Sequence, residues 1–478
     1  MRFNKMKYLV LSSFLTLTLF GASCTKGPDA ATRAALQPKT LNIWAVVDDS
    51  DVYAPMLEAY SMAHPHVSIN YKRFRLEEYE DALLNAFAED KGPDIFLIHN
   101  TWVGKYMSKI EPMPAFTKMA YRFAEGPSTN RTYTYELRNE RSILIKDVKE
   151  VYPDVVAGDV LRRINTSAEG SPAVWEDKVV ALPMSVDTLA LFVNKDLLNA
   201  AGIPTIPDTW AKFQATIPRL VKVDRDGKLL QSGAALGLAY NVERSVDILS
   251  ILMMQNGTQM AYDDGNPSFA IIPPGMTRDR GDLPGRQALL FYLDFANPDK
   301  EIYTWNAEMP NSLEAFIQGR LAYFFGYSYH LPTIKARAPK LNLAISKLPQ
   351  IEGNPVSNYA NYWLWTVSKK SESTDIAWNF LNYLIKPENE KQYLDLAKRP
   401  PAHKSLINDY LEDEEMGVFA SQILTSRSWY KGADPGTMET VLKEMIEESA
   451  KVEVEELSKI MLTSQEKVRQ TIVPRANY

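Results

Sequence analysis

The stretch ALPMSVDTLALFVNKDLLNAAGIPTIPDTWAKF, residues 181–213, decides the fold because it joins a buried strand, a short helix and the start of a second helix. The apolar residues between Val186 and Val193 predict the strand, and Gly202 is placed to end the first helix. Asp187 interrupts the apolar run, so its charge must be paired, hydrogen-bonded or exposed at a cleft. A carboxylate that only caps a neighbouring backbone N–H is the alternative to a ligand-binding role.

This stretch resembles the motif of family 1 extracellular solute-binding proteins, the carbohydrate receptors of ABC importers. The matching residues are Pro183, Asp187, Thr188, Leu191, Asn194, Lys195, Asp196, Leu197, Ala201, Gly202, Ile203, Pro207, Thr209 and Trp210. The resemblance implies an α/β fold of the two-lobed, type II-like periplasmic-binding-protein class. Each lobe is then expected to be a mainly parallel sheet flanked by helices, with a hinge between the lobes.

The length of 478 residues is too great for one ordinary core and also predicts two lobes. Strands and helices alternate over residues 40–98, which predicts a parallel sheet. We assign residues 40–186 plus about 366–410 to lobe I, and 187–365 plus about 411–478 to lobe II. Residues 112–176 are less legible, and a charged helix is predicted over residues 136–151.

The N-terminus has the pattern of a secretory signal. Within residues 1–23, basic residues precede an apolar run that is too short for a comfortable membrane span. Cys24 is the one cysteine of the chain and stands where bacterial lipoprotein signals place the lipidated residue. A cleaved signal with an incidental cysteine is the alternative. Residues 24–39 are predicted to be a tether between a lipid anchor and the folded body, on the cell surface or in the periplasm.

Composition and motifs narrow the classes of function. The net charge of −6 and the lack of a basic block do not favour nucleic acid as a partner. No nucleophile elbow, phosphate loop, CxxC pair or HExxH motif occurs. His66 and His99 have no second ligand at metal-binding spacing, so we predict neither a metal nor a cofactor. We expect a monomer without catalytic activity.

Aromatic residues recur beside polar residues near the ends of the predicted strands, where open α/β sheets bind ligands. Sugars have apolar C–H faces and hydroxyl rims, so they need aromatic platforms together with carboxylates and amides. With the resemblance, this pattern nominates as ligand-binding residues Asp48, Asp49, Asn100, Trp102, Asp187, Asn194, Tyr327, Tyr329, Trp363 and Arg399. Core packing is the alternative for the rings, and it is the preferred interpretation for Trp44 and Trp365.

The resemblance implies a receptor that binds a saccharide or related small solute between two lobes and delivers it to an ABC importer permease. One alternative keeps the fold but binds a short peptide, a polyamine or glycerol phosphate. A phosphate ligand calls for a cluster of cations, of which the sequence names only Arg399. The other alternative is a secreted glycan-acting enzyme, which needs a second placed carboxylate.

Overall fold

The computed structural model describes residues 29–127, 131–168, 170–273, 275 and 283–472. The predicted signal and Cys24 lie outside these residues. The strands are β1 Lys39–Ala45, β2 Val67–Arg73, β3 Ile95–His99, β4 Phe116–Glu125, β5 Thr132–Arg141, β6 Leu161–Asn165, β7 Trp175–Val179, β8 Asp187–Thr188, β9 Ala190–Asn194, β10 Lys222–Val223, β11 Leu229–Ala234, β12 Leu321–Gly326, β13 Leu343–Ser346, β14 Asn358–Asn361, β15 Trp363–Val367 and β16 Ser426–Arg427. The helices are α1 Ala30–Ala35, α2 Ser50–Ala63, α3 Leu76–Ala88, α4 Val103–Tyr106, α5 Ile145–Val151, α6 Asp154–Val160, α7 Lys195–Ala200, α8 Trp210–Leu220, α9 Ser245–Gln255, α10 Pro284–Asp294, α11 Ser312–Ile317, α12 Leu331–Arg337, α13 Thr374–Leu384, α14 Pro387–Ala397, α15 Ile407–Tyr410, α16 Met416–Gln422, α17 Pro435–Ser449 and α18 Leu457–Arg469.

Lobe I is built on a four-stranded sheet with the order β15-β3-β1-β2. β1 pairs parallel with both β2 and β3, and β15 closes the sheet antiparallel to β3. Leu41 and Ile43 of β1 are buried together with Met56 of α2 and Leu83 of α3. The predicted strand–helix alternation and the mainly parallel sheet are therefore confirmed for this lobe.

Lobe II is built on a five-stranded sheet with the order β10-β11-β12-β9-β13. Only β11 and β12 pair parallel, whereas the other three pairings are antiparallel. The prediction of a mainly parallel sheet is thus wrong for this lobe. A tight turn with Gly227 at φ 82° joins β10 to β11, and such a short connection permits only antiparallel pairing.

A small three-stranded sheet, with the order β16-β14-β8, lies where the chain crosses between the lobes. The predicted strand around Asp187 is split here: β8 pairs with β14 in the small sheet, and β9 continues in the sheet of lobe II. Likewise β14 stays in the small sheet while β15 joins lobe I. The chain changes sheets at Tyr362, so Trp363 packs in lobe I. This position corrects the boundary between the lobes, which the sequence placed at about residue 366.

Two antiparallel ribbons, β4–β5 and β6–β7, occupy most of the region that the sequence left illegible. The predicted helix over residues 136–151 is wrong in its first half, because pairing with β4 keeps this part extended and α5 begins only at Ile145. In the predicted tether, Asp29 caps α1, and this helix packs against the β4–β5 ribbon. The last part of the tether is therefore docked on lobe I.

Candidate ligand-binding site

A cavity of about 470 Å³ lies between the two lobes, and we call it the interlobe cavity. It lies where the ends of β1 and β3 face the start of α9 and the short 3₁₀ helix Ser328–His330. Its lining residues are Val46, Val47, Asp48, Tyr53, Leu76, Leu97, His99, Met184, Ser185, Asp187, Glu243, Arg244, Tyr329, Asn361, Tyr362, Trp363, Trp365, Tyr393 and Arg399. An adjoining cavity of about 400 Å³ shares its wall at Trp363 and Arg244.

The structure brings seven of the ten predicted ligand-binding residues to these two cavities. The interlobe cavity is lined by Asp48, Asp187, Tyr329, Trp363 and Arg399. Asn100 and Trp102 line the adjoining cavity. β1 and β3 are parallel and end at the same edge of the sheet of lobe I, which explains why Asp48, Asn100 and Trp102 lie near one another.

The other three predictions are corrected by the positions of the side chains. Asp49 is exposed and pairs with Arg73 at 2.7 Å, outside both cavities. Asn194 uses its side-chain oxygen to cap α7, whose first N–H groups have no partner inside the helix. Tyr327 is fully buried behind the cavity, where its hydroxyl donates to Asp247 at 2.6 Å.

Asp48 and Arg399 form a buried ion pair at one wall of the interlobe cavity. Arg399 Nη2 lies 3.1 Å from Asp48 Oδ1, and the Tyr393 hydroxyl donates to Asp48 Oδ2 at 2.8 Å. The Arg399 Nε is buried and has no hydrogen-bond partner among the described residues. The Arg399 side chain lines the interlobe cavity, so its guanidinium group is the positive charge of this wall.

Hydrogen bonds from Ser328 and Thr188 hold the side chain of Asp187 where the chain crosses between the lobes. Its Oδ2 accepts from the Ser328 backbone N–H at 2.9 Å and from the Ser328 hydroxyl at 2.6 Å, and its Oδ1 accepts from the Thr188 N–H at 2.9 Å. Burial raises the pKa of Asp187 to about 6, although the Ser328 hydrogen bonds and the charge of Arg399 oppose this. These contacts fit the capping alternative. Since Asp187 also lines the interlobe cavity, a ligand contact stays a prediction.

Aromatic rings line another part of the wall and pack against one another. Trp363 meets Trp102 and His99 edge-on, each at a centroid distance of 5.5 Å. Tyr53 packs edge-on against Trp365 at 5.8 Å. Trp365 is 3% exposed, as its assignment to the core predicted, yet it also lines the interlobe cavity. Such braced rings can present fixed faces to a ligand.

Sequence reasoning missed Arg244, Glu243 and His99, which line the interlobe cavity from opposite lobes. Arg244 precedes α9 in a left-handed conformation with φ 56°, and its Nε donates to Asp247 at 2.8 Å. Burial and the charge of Arg244 lower the pKa of His99 to about 4, so this ring is neutral near pH 7. His99 ends a predicted strand next to Asn100, and that position is the one signal that could have included it.

Two classes of feature are not found in the described part of the chain. There, no group of three or more His, Cys, Asp or Glu side chains could hold a metal ion. No helix within those same residue ranges is long and apolar enough to cross a membrane.

Comparisons with known proteins place this geometry in a family. The galactooligosaccharide-binding protein of Bacillus subtilis (strain 168) is 24% identical over 251 residues, which are 52% of this chain and 55% of that relative, so the match spans about half of its length. Among solved structures, the GacH receptor of Streptomyces glaucescens GLA.O has a TM-score of 0.64 at 17% identity, covering 92% of this chain and 100% of that one. The cyclic alpha-maltosyl-1,6-maltose binding protein from Arthrobacter globiformis has a TM-score of 0.65 at 16% identity, covering 91% and 99%. These structures share the two-lobed fold. A family model described as bacterial extracellular solute-binding protein matches residues 55–417, so the chain belongs to that family.

Proposed function

We propose that this chain is an extracytoplasmic receptor that binds a neutral saccharide between its lobes and delivers it to the permease of an ABC importer. The observation that carries the proposal is the lining of the interlobe cavity, where the rings of Trp363 and Tyr329 occur together with the polar side chains of Asp48, Asn361 and Arg399. Aromatic faces suit sugar C–H surfaces, and carboxylate, amide and guanidinium groups suit ring hydroxyls. The relative from B. subtilis is named for galactooligosaccharides, and a structure of the GacH receptor contains acarbose, which supports this class of ligand.

The charges of the cavity favour a neutral ligand over glycerol phosphate. Each arginine at the cavity already faces a carboxylate, Arg399 with Asp48 at 3.1 Å and Arg244 with Asp247 at 2.7 Å. A hydrogen bond with His330 lowers the pKa of Glu243 to about 2, so that side chain adds a further negative charge. A phosphate would have to displace these internal partners, whereas a hydroxyl can share them.

The first test measures binding of saccharides by the full chain with intrinsic tryptophan fluorescence and calorimetry. We expect at least one mono- or oligosaccharide to saturate the signal. Trp363→Ala should then weaken binding by about two- to twelvefold or more, since ring contacts contribute about 0.5–1.5 kcal/mol beyond buried area. Trp175→Ala removes an indole that is 39% exposed and lies outside the cavity, so it is the matched control and should leave affinity unchanged. No response to any saccharide, or equal losses in both variants, would contradict the proposal.

Transport requires that ligand binding changes the position of the two lobes relative to each other. We infer that the lobes, divided near the crossings at residues 187 and 363, close on the ligand, which favours the closed state by its differential affinity. The radius of gyration measured by X-ray scattering should therefore fall when the saccharide is added. ATP hydrolysis is assigned to other subunits of the importer.

We also propose that Cys24 anchors the protein to the membrane. A lipidated Cys24 would hold the monomeric receptor at the outer face of the membrane, with residues 25–28 leading to α1. Cys24→Ala should release the protein from the membrane fraction, and mass spectrometry of the mature N-terminus should show the acyl groups in the unmodified sequence.

The family is one of receptors, and we propose that this chain does not turn over its ligand. Asp48 and Glu243 join Asp187 at the interlobe cavity, so the second carboxylate that the sequence did not reveal is present. Asp48 is already engaged by Arg399 and Tyr393. Oligosaccharide incubated with the protein should be recovered intact by chromatography, and release of shorter products that Asp187→Asn abolishes would favour the enzyme instead.

A further inference from the structure

The β4–β5 ribbon turns one of its two faces towards lobe I and the other away from it. Thr117 and Met119 alternate to the inner face, where both are buried and Asn379 of α13 donates to the Thr117 hydroxyl at 3.2 Å. Tyr121 lies on the same face, and its ring packs 4.9 Å from that of His64 at the end of α2. We call the opposite side the outer face, and its residues are Phe116, Lys118, Ala120, Arg122, Ala124, Tyr133, Tyr135, Leu137, Asn139 and Arg141.

The charges of the ribbon are divided between its two faces. The pairing register puts all three carboxylates of the two strands, Glu125, Glu136 and Glu140, on the inner face. Lys118 and Arg122 are exposed on the outer face, which carries no acidic residue. The complete chain has a net charge of −6, so the outer face is a positive surface on a protein that is negative as a whole.

Aromatic rings are exposed beside these cations. Phe116, Tyr133 and Tyr135 of the outer face are 54%, 45% and 38% exposed. The guanidinium group of Arg122 lies over the ring of Tyr133, 4.7 Å from its centroid. Tyrosine rings are enriched where membrane proteins meet the lipid headgroups, and basic side chains are attracted to anionic lipids. The chemistry of the outer face therefore fits the surface of an anionic membrane.

The start of the folded body places the outer face close to the proposed anchor. Ala120 belongs to the outer face but is buried. Because α13 takes the inner face, we infer that α1, which also packs against the ribbon, covers Ala120 on the outer one. Asp29 caps α1, and the chain from Cys24 to Asp29 spans at most about 18 Å even when fully extended. A membrane that holds the acyl groups of Cys24 is thus within reach of the outer face.

We propose that the outer face of the β4–β5 ribbon docks on the anionic lipid surface to which Cys24 anchors the protein. This inference rests on the proposed anchoring, because so small a face binds weakly by itself and the anchor supplies the high local concentration that it needs. Weak binding is lost when membranes are fractionated, so Cys24→Ala is still expected to release the protein. None of the residues of the outer face lines the interlobe cavity, and docking therefore leaves the ligand site uncovered.

The test uses residues 25–478, which contain all residues that the structure describes but not the anchor, and measures their sedimentation with vesicles at low ionic strength. We expect binding to vesicles of equal parts phosphatidylglycerol and phosphatidylcholine, and binding at least about tenfold weaker to pure phosphatidylcholine. Lys118→Gln together with Arg122→Gln should weaken binding to the anionic vesicles about 25-fold, since each basic residue near such a surface contributes about fivefold. Lys222→Gln together with Arg225→Gln removes the same charge from exposed positions on lobe II, so this matched control should leave binding unchanged.

A second measurement locates the contact on the protein. Tyr135→Trp puts an indole on the outer face, and Tyr262→Trp puts one on lobe II at a residue that is similarly exposed, 37% against 38%. Vesicles that contain brominated phosphatidylglycerol should quench the added fluorescence of Tyr135→Trp and leave that of Tyr262→Trp unchanged.

The outcomes separate this proposal from the proposed anchoring. The vesicle measurements do not depend on acylation, whereas a missing anchor would be seen in the mass of the mature N-terminus. Absence of binding to the anionic vesicles overturns the docking proposal. Equal weakening by the two double variants, or equal quenching of the two added indoles, overturns it as well.

Discussion

Asp187→Asn gives the sharpest test of the electrostatics at the crossing between the lobes. Both oxygens of Asp187 accept hydrogen bonds, from Ser328 and from the Thr188 N–H, and the residue is 6% exposed. An amide keeps the shape but never ionises. The comparison therefore isolates the free energy of ionising this one buried carboxylate.

The direction in which the free energy of unfolding changes with pH follows from the linkage between proton binding and folding. Burial raises the folded-state pKa of Asp187 from 3.8 to about 6, so the folded protein holds the proton more tightly than the unfolded chain does. The contribution of Asp187 to the free energy of unfolding is then greatest below pH 3.8 and is lost as the pH rises through about 6. At about 1.4 kcal/mol for each pH unit between these values, the loss amounts to about 3 kcal/mol.

Urea unfolding of both proteins between pH 4 and pH 8 measures this loss. The free energy of unfolding of the unmodified protein should fall by about 2 kcal/mol relative to Asp187→Asn across this range, because part of the loss already occurs below pH 4 and all other groups cancel in the difference. Asp226→Asn changes an exposed carboxylate on the turn before β11 and serves as the control for the substitution itself. Parallel pH profiles for the unmodified protein and Asp187→Asn would refute the raised pKa and the burial that causes it.

Three further predictions concern other buried groups. Burial raises the pKa of Glu390 to about 8, so the stabilising contribution of its protonated form should be lost as the pH rises to 8, and Glu390→Gln should have the higher melting temperature at pH 9. Asp159→Ala should lower the free energy of unfolding by about 3 kcal/mol or more in urea, since it removes the acceptor of Tyr362 and leaves Lys431 without its carboxylate. Arg399→Gln should weaken saccharide binding by about 1.5–3 kcal/mol in calorimetry, because it removes charged donors from the interlobe cavity and frees Asp48.

The fold of lobe I was predictable because each of its strands and helices is indicated by a short stretch of sequence. Strands and helices alternate with their own hydrophobic periods, and such an order leads to a parallel sheet. The pairing directions in lobe II were not predictable, because β9 meets β12 and β13 from far along the chain. The changes of sheet at Leu189 and at Tyr362 were not predictable either. A continuous apolar run does not show which sheet each half of it will join.

The candidate site was predictable where a residue follows a strand that ends at the cavity. Asp48, which follows β1, is of this kind, and Asp49 shows the limit, because the next side chain points out to Arg73. Asn194 was misassigned since a polar residue between a strand and a helix can equally cap the helix. Arg244 carries no signal of this kind, because it precedes a helix and follows no strand that ends at the cavity.

Buried carboxylates at both crossings suggest how closure and binding are coupled. Asp187 ties β8 to Ser328 of lobe II, while Asp159 accepts from Asn100 and from Tyr362, the residue between β14 and β15. Hydrogen bonds of this strength resist stretching, so we expect the lobes to rotate about these two points rather than slide past them. Because Asp187 also lines the interlobe cavity, we expect that a saccharide bound there alters the contacts that Asp187 makes at the proposed hinge. Ligand affinity and the equilibrium between open and closed states should therefore respond together to Asp187→Asn.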